Sequence, residues 1–254
     1  MQTLWNSLGG GNEPRLVNGK TITYYPATSS TEAMLRFGDG ECDFEIDVNP
    51  VEIIDSLKND CLQSVYNQLM SGNINNEILK IFNDVFKDGT KFNAFFNDGW
   101  VDPEGTDIAE ANPRNIVKVG QDLISIDVDL NFDDALLVNY SWEYIAFTFI
   151  HEMLHAYYSA KPELFPPGDL NDPELVHHID MLSQYLEQTA QFIHDLYGSP
   201  IEDMKMLALG ALKDQVLGNQ GNITYVSIKL NKGFTDAQIN NMISNYINGG
   251  NRCN

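Results

Sequence analysis

Residues 142–160 read WEYIAFTFIHEMLHAYYSA, and they are the most informative segment of this 254-residue chain. Apolar side chains occur on nearly every side of the segment, which predicts a helix buried in the core. Ser141 directly precedes it and is a typical N-cap residue. The middle of the segment, residues 149–157, also contains the polar side chains His151, Glu152 and His155 among apolar and aromatic ones. Because burying an unsatisfied polar group costs free energy, we expect these three side chains to have a partner.

The spacing of the two histidines indicates a metal ion as that partner. His151 and His155 are four residues apart, so a helix places both on one face, where they can hold one zinc ion. Glu152 then projects beside the metal, where it can take a proton from a zinc-bound water. The alternative is a coincidence on an amphipathic helix, expected in roughly one comparable sequence per hundred or fewer. The H-E-x-x-H pattern therefore predicts the zinc site of a metallopeptidase, with Glu152 as general base.

Catalytic zinc usually has three protein ligands and one open position, so a third ligand must come from elsewhere. The next predicted helix begins at Asp172-Pro173, a typical cap followed by a first-turn proline, and runs to about residue 196. His178 falls at the edge of the apolar stripe of that helix. We expect His178 to be the third ligand, and Glu174 and His177 are the alternatives. A histidine that faces solvent is the non-functional interpretation of His178.

The residues that follow the motif differ from those of two known classes of zinc peptidase, the metzincins and the gluzincins. A metzincin would have glycine at 158 and histidine at 161, where this chain has Tyr158 and Lys161. With Glu174 as a ligand the site would be similar to that of a gluzincin, but the downstream Asn-Glu pattern is absent. Tyr185 lies two turns after His178 on the same predicted face, and its phenol could stabilise the oxyanion of a tetrahedral intermediate. Core packing is the alternative role for Tyr185.

The charge of the chain limits its partners. There are 15 Lys and Arg residues against 36 Asp and Glu residues, which gives a net charge of -21. Such a surface repels phosphate backbones and anionic lipids, so we expect a protein or peptide substrate and no nucleic acid. No apolar run is long enough for membrane insertion. The first residues show no signal peptide, which is compatible with a mature piece of a longer, secreted precursor. Oligomeric state and localisation are not indicated.

The order of predicted elements indicates an α+β fold of the zincin-like kind. We expect a short mixed β-sheet packed on the H-E-x-x-H helix and a mainly helical C-terminal half. Residues 1–50 are interpreted as a small β-rich appendage, and 51–254 as the metallopeptidase domain.

Helices are predicted at 51–70, 76–86, 142–160, 172–196, 201–217 and 235–247, and strands at 21–25, 42–48, 91–96, 116–119, 123–130 and 223–230. A loop is predicted at 98–114. The strand at 123–130 is the expected edge of the sheet, to which an extended peptide could add. Three cysteines, Cys42, Cys61 and Cys253, allow one disulfide or three free thiols.

Residues 145–157, IAFTFIHEMLHAY, resemble the active-site helix of SprT-like zinc metallopeptidases. They are especially similar to uncharacterised relatives at the ends of bacterial secreted or toxin-like proteins. The resemblance implies a zincin-like fold and a later histidine before a methionine or aromatic residue, which the stretch from His178 to Met181 matches without the usual His-Gly. SprT-like proteases that act on DNA-bound proteins carry basic surface, whereas this chain is acidic and has no zinc-ribbon cysteines.

That resemblance leaves two alternatives to a general endopeptidase. One is a bacterial toxin or effector protease with one specific protein target. The other is a non-catalytic binding module with a structural zinc site, which four closed protein ligands would indicate.

Overall fold

The computed structural model describes most of the chain from residue 53 onward and three strands before it. The described residues are 15–17, 20–25, 34–37, 53–71, 76–86, 92–100, 102, 107–119, 122–161, 173–216, 220–249 and 252. Strands β1 (Arg15–Val17), β2 (Lys20–Tyr25) and β3 (Met34–Phe37) form an antiparallel sheet in the order β1-β2-β3. The predicted strand at 21–25 is therefore confirmed, and the one at 42–48 lies outside the described residues. A separate N-terminal appendage stays a prediction.

A second, mixed sheet carries the core. Its strands are β4 (Ile53–Asp55), β5 (Phe92–Asp98), β6 (Ala109–Val119) and β7 (Asp122–Phe132), in the order β4-β5-β7-β6. Strands β4, β5 and β7 run parallel, and β6 is antiparallel to β7. The strands predicted at 116–119 and 123–130 are confirmed as parts of β6 and β7, which pair with each other. The edge strands are β4 and β6, so the expectation that 123–130 forms an edge is wrong.

Alternate residues of β7 divide the sheet into a buried face and a polar face. Ile126, Val128, Leu130 and Phe132 are buried, and the intervening side chains are partly exposed. On the polar face, Asn93, Asn97, Glu110, Arg114, Asp127, Asp129 and Asn131 form a network of hydrogen bonds and ion pairs across the strands. This alternation has the period of a half-buried strand, as the sequence predicts.

Helix α4 packs on the buried face of the sheet. Helices α1 (Asp60–Met70), α2 (Glu77–Phe86) and the short α3 (Asp134–Leu137) precede α4 (Trp142–Ala160). The Ser141 side chain accepts a hydrogen bond of 3.2 Å from the Tyr144 backbone N–H, so the predicted N-cap is confirmed. The rings of Phe132 in β7 and Phe149 in α4 stack with centroids 4.1 Å apart. This packing fixes the distance of the H-E-x-x-H helix from the sheet.

The C-terminal half is helical, as predicted. Helix α5 (Pro173–Asp180) continues through a π-helical segment (Met181–Tyr185) into α6 (Leu186–Tyr197), so the predicted long helix is confirmed with one wide turn inside it. It is followed by α7 (Ile201–Ala211), α8 (Lys213–Val216), α9 (Gln220–Asn231) and α10 (Asp236–Asn248). The chain is therefore α+β, with a small mixed sheet and mostly helical content. Within the described residues, no helix has the length and apolar character needed to cross a membrane.

Three predicted elements are wrong. Residues 53–55 form β4 instead of the first turn of a helix, because they pair with Ala94–Phe96 of β5. Residues 109–114 belong to β6 instead of a loop, because their backbone pairs with β7. Residues 223–230 lie in helix α9 instead of a strand, with Ile223 and Leu230 exposed. Short apolar segments have no clear period, so tertiary pairing decides their conformation.

Helix α1 contains one cysteine, Cys61. Cys61 is disulfide-bonded, and its partner lies outside the described residues. Of the alternatives that the sequence left open, the structure therefore has a disulfide.

Candidate metal centre

Three histidine side chains meet between α4 and α5. The Nε2 atom of His155 is 3.1 Å from Nε2 of His151 and 3.0 Å from Nε2 of His178. The Nε2 atoms of His151 and His178 are 3.4 Å apart, which closes a triangle. His178 is buried, and the other two side chains are partly buried. The two histidines of the motif and the expected third histidine thus form a group that could hold a metal ion.

The spacing of the three nitrogens fits a small divalent cation. A tetrahedral zinc ion with Zn–N bonds of about 2.0–2.1 Å has its ligand nitrogens about 3.3–3.4 Å apart. The three distances in this structure are 3.0, 3.1 and 3.4 Å. All three histidines present Nε2 to the centre of the group. Imidazole also suits copper, iron and nickel, so the donor set by itself leaves the identity of the metal open.

The surroundings keep His151 and His155 neutral, which is the form that binds a metal. Burial, with a smaller contribution from the neighbouring His178, lowers the pKa of His151 to about 3. Burial also lowers the pKa of His155 well below its usual value, with added contributions from His151, His178 and His177. The rings of His151 and His155 therefore carry one proton each at neutral pH, and each has one nitrogen lone pair for a ligand bond.

Glu152 lies next to this group, inside the protein. Only 5% of the residue is exposed, and its Oε1 atom is 4.0 Å from Nε2 of His151. That separation is too long for a hydrogen bond. Glu152 thus lies beside the three histidines without being a member of their group.

His178 reaches the group because α5 is held against α4. The hydroxyl of Tyr158, in α4, donates a hydrogen bond of 2.9 Å to Oδ2 of Asp180, in α5. Tyr158 lies three residues after His155, and Asp180 two residues after His178, so this bond joins the helices close to the histidines. Burial raises the pKa of the Tyr158 phenol, and the Asp180 carboxylate raises it further. Tyr158 therefore stays protonated and keeps its role as donor.

His177 lies outside the triangle. Its Nδ1 atom is 3.4 Å from Nδ1 of His155, on the opposite side of the His155 ring from the triangle. Its ring is 4.7 Å from the ring of Tyr158, with the planes inclined by 30°. Burial lowers the pKa of His177 to about 4. The structure therefore favours His178 over His177 as the third member of the group.

The remaining two predicted site residues are Glu174 and Tyr185, and neither is shown in contact with the three histidines. The backbone of Glu174 belongs to α5, and its side chain lies outside the description that the structure gives. The ring of Tyr185 is 6.4 Å from the ring of Tyr158. Burial, with smaller contributions from Tyr157 and Asp180, raises the pKa of Tyr185 to about 12. Tyr185 thus has tyrosines and an aspartate as its neighbours, and a catalytic role for it stays a prediction.

The far side of His151 is apolar. A small cavity beside it is lined by Phe147, Leu154, Met181 and Leu186, among others. Within the described part of the chain, the Nδ1 atom of His151 is buried without a hydrogen-bond partner. His151 is therefore held by packing, whereas His155 has a polar neighbour on both sides.

Sequence reasoning did not identify the Tyr158–Asp180 pair or the contact between His177 and His155. The sequence did contain one signal for Tyr158. Tyr158 lies three residues after His155, so a helix places it about one turn further along the face that carries the two histidines.

Comparison of the chain with protein-family models, with curated proteins and with solved structures finds no match. The function assigned to the site therefore rests on its residues and their geometry.

Proposed function

We propose that the chain is a zinc-dependent endopeptidase with a zincin-like fold. The observation that carries this proposal is the triangle of Nε2 atoms from His151, His155 and His178, with the buried Glu152 carboxylate next to it. Three ligands leave a fourth position open in a tetrahedral site, as in catalytic rather than structural zinc centres. Among the described side chains, no fourth ligand joins the three histidines.

The residues of this chain divide the reaction between them. His151, His155 and His178 would hold the zinc ion, which when bound supplies a Lewis acid that polarises a peptide carbonyl and acidifies water. Glu152 would accept a proton from the attacking water and deliver it to the leaving amine. The low exposure of Glu152 keeps bulk water away from the carboxylate, so that its charge acts on the reacting atoms with little screening.

An edge strand supports a peptide as the substrate. Strand β6 is an edge of the mixed sheet and packs against α4, and its residues 112–118 are exposed. An extended peptide could add to this edge through main-chain hydrogen bonds and so lie along the sheet. Asp127 and Asp129 of the adjacent β7 are paired with Arg114 of β6, so their negative charge is partly compensated. The net charge of -21 of the whole chain favours basic or neutral substrates over acidic ones.

The test is a comparison of wild type with Glu152→Gln, a variant that keeps the size of the side chain and removes its basicity. Both proteins are stripped of metal, reconstituted with zinc, and assayed on unfolded casein and on a peptide library. We expect one zinc per chain in both, and cleavage by wild type alone. Equal cleavage by the two proteins would remove Glu152 from the mechanism, and absence of zinc from wild type would refute the metal centre.

A protease restricted to one target remains distinguishable from a general one. Zinc binding without casein cleavage, combined with toxicity on expression that Glu152→Gln abolishes, would identify a single-target toxin or effector protease. Zinc binding with neither effect would identify a structural zinc site.

A further inference from the structure

The most informative contact outside the histidine triangle is on the other side of the His155 ring. A histidine ring has two nitrogens, and Nε2 of His155 lies in the triangle. Its second nitrogen, Nδ1, is 3.4 Å from Nδ1 of His177. The two histidines come from different helices, His155 from α4 and His177 from α5. The contact therefore depends on the same packing that brings His178 into the triangle.

The chemistry of the ring determines what this contact can be. A neutral imidazole carries its proton on one nitrogen and a lone pair on the other. If Nε2 of His155 uses its lone pair to bind a metal, the proton must be on Nδ1, which faces His177. Nδ1 of His177 can then accept that proton in a hydrogen bond only if His177 carries its own proton on Nε2. Metal-binding histidines usually donate their second N–H to an acceptor, most often a carboxylate, a backbone carbonyl or water, and the acceptor fixes the tautomer and the orientation of the ring. The geometry here offers a histidine nitrogen in that place.

We propose that His177 is a positioning residue for the metal centre: its Nδ1 accepts a hydrogen bond from Nδ1–H of His155 and holds that ring in the tautomer and orientation that present Nε2 to the metal. The inference rests on the proposed metal centre and deepens it. In this proposal His177 does not bind the metal itself; it is the hydrogen-bond partner of the ligand His155.

The position of His177 is itself fixed. Its ring packs on Tyr158 at 4.7 Å, and Tyr158 is held by its hydrogen bond to Asp180. Tyr158 belongs to α4 and Asp180 to α5, so the support for His177 comes from both helices. An acceptor held in this way can orient its partner, whereas a mobile surface side chain cannot.

The contrast with His151 gives the proposal a specific consequence. Nδ1 of His151 has no hydrogen-bond partner among the described residues. Of these two histidines, His155 is the one whose orientation depends on a hydrogen bond, and His151 depends on apolar packing. Loss of the acceptor at position 177 should weaken the centre through His155 alone.

Three variants test the proposal. His177→Phe keeps a ring that can pack on Tyr158 but removes the acceptor, and His177→Asn keeps an acceptor atom near the position of Nδ1. His194→Asn is the matched control, because Nδ1 of His194 contacts the carbonyl oxygen of Ser199 at 2.6 Å instead of a ligand. The zinc dissociation constant of each protein is measured by competition with a chromogenic chelator, and the fold of each metal-free form is checked by circular dichroism.

We expect His177→Phe to bind zinc about 10–100-fold more weakly than wild type. His177→Asn and His194→Asn should stay within about threefold of wild type, because the acceptor or the whole centre is retained. An unchanged dissociation constant for His177→Phe would overturn the proposal while leaving the metal centre in place. An equal loss in His177→Asn would also overturn it, because ring packing and not the acceptor would then be what matters. A wild type that binds no zinc would refute the metal centre and this inference together.

A second measurement uses no variant and so does not depend on whether His177→Phe folds. Nitrogen-15 NMR of the zinc-loaded wild type reports which nitrogen of each histidine carries the proton. We expect His177 to be neutral, with its proton on Nε2 and a lone pair on Nδ1. A proton on Nδ1 of His177 would exclude the hydrogen bond and overturn the proposal.

Discussion

The Nε2 atoms of His155 and His178 are 3.0 Å apart although the two residues are 23 positions apart and belong to different helices. The Nε2 atom of His151 lies within 3.4 Å of both. A ring nitrogen that carries a proton can only donate, and one that carries a lone pair can only accept one bond, so three such nitrogens cannot satisfy one another. A cation that accepts all three lone pairs removes this conflict, which is why the arrangement favours a metal ion.

The choice between His178 and Glu174 as third ligand can be decided by substitution. His178→Ala removes one of the three proposed ligands. We therefore expect a loss of zinc affinity larger than the 10–100-fold, roughly, that is typical when the hydrogen-bond partner of a ligand is removed. Glu174→Gln should leave the affinity close to that of wild type. The measurement is chelator competition with zinc. A large loss in Glu174→Gln with little loss in His178→Ala would show that the glutamate is the ligand.

Removal of the metal should lower the thermal stability. A ligand that binds only the folded state stabilises it by about 2.7 kcal/mol at a concentration 100 times its dissociation constant. For a chain of this size that corresponds to a rise in Tm of roughly 5–10 °C. We expect this shift when zinc is added to the metal-free wild type, and its reversal by a chelator. His178→Ala is the control and should shift little; an identical shift in both proteins would indicate zinc binding elsewhere.

The helical part of the site could be predicted because its signals are local. His151, Glu152 and His155 lie within five residues, and the period of a helix fixes their common face whatever surrounds it. His178 could be predicted from the apolar stripe of its own helix, because the segment before it is regular. The π-helical segment begins only at Met181, after His178, so it does not change the side on which His178 lies.

The parts that could not be predicted depend on contacts distant in sequence. The extent of β6 and the existence of β4 follow from pairing with β7 and β5, and neither segment shows a period of its own. Segment 223–230 has side chains typical of strands but becomes helix α9, which packs against neighbouring helices. Tyr185 lies at the end of the π-helical segment, whose wider turn changes the direction of every side chain extrapolated through it.

The neighbours of Tyr185 lead to a specific expectation for Tyr185→Phe. The phenol lies beside Tyr158, and burial raises its pKa to about 12, which keeps it protonated at neutral pH. Because those neighbours are not the histidines of the triangle, we expect kcat to change by no more than about threefold. Loss of a donor to an oxyanion typically lowers kcat by about 100–1,000-fold, so a decrease of that size would establish the catalytic role.

The lowered pKa values of His151 and His155 predict how the stability of the metal-free protein depends on pH. In the unfolded chain both histidines titrate near 6.5, whereas in the folded protein the pKa of His151 is about 3 and that of His155 is well below normal. Between those values the unfolded state binds protons that the folded state does not, so the free energy of unfolding falls as the pH falls. The shift of His151 should cost about 1.4 kcal/mol between pH 7.5 and 5.5, and that of His155 should add to this cost in the same direction. This window lies above the range in which most carboxylates titrate. Urea unfolding at the two pH values measures the effect, and the double variant His151→Phe/His155→Phe is the control. If wild type lost no more stability than that variant, the two histidines would have to be free to take up protons in the folded state, and the packed, neutral triangle would be wrong.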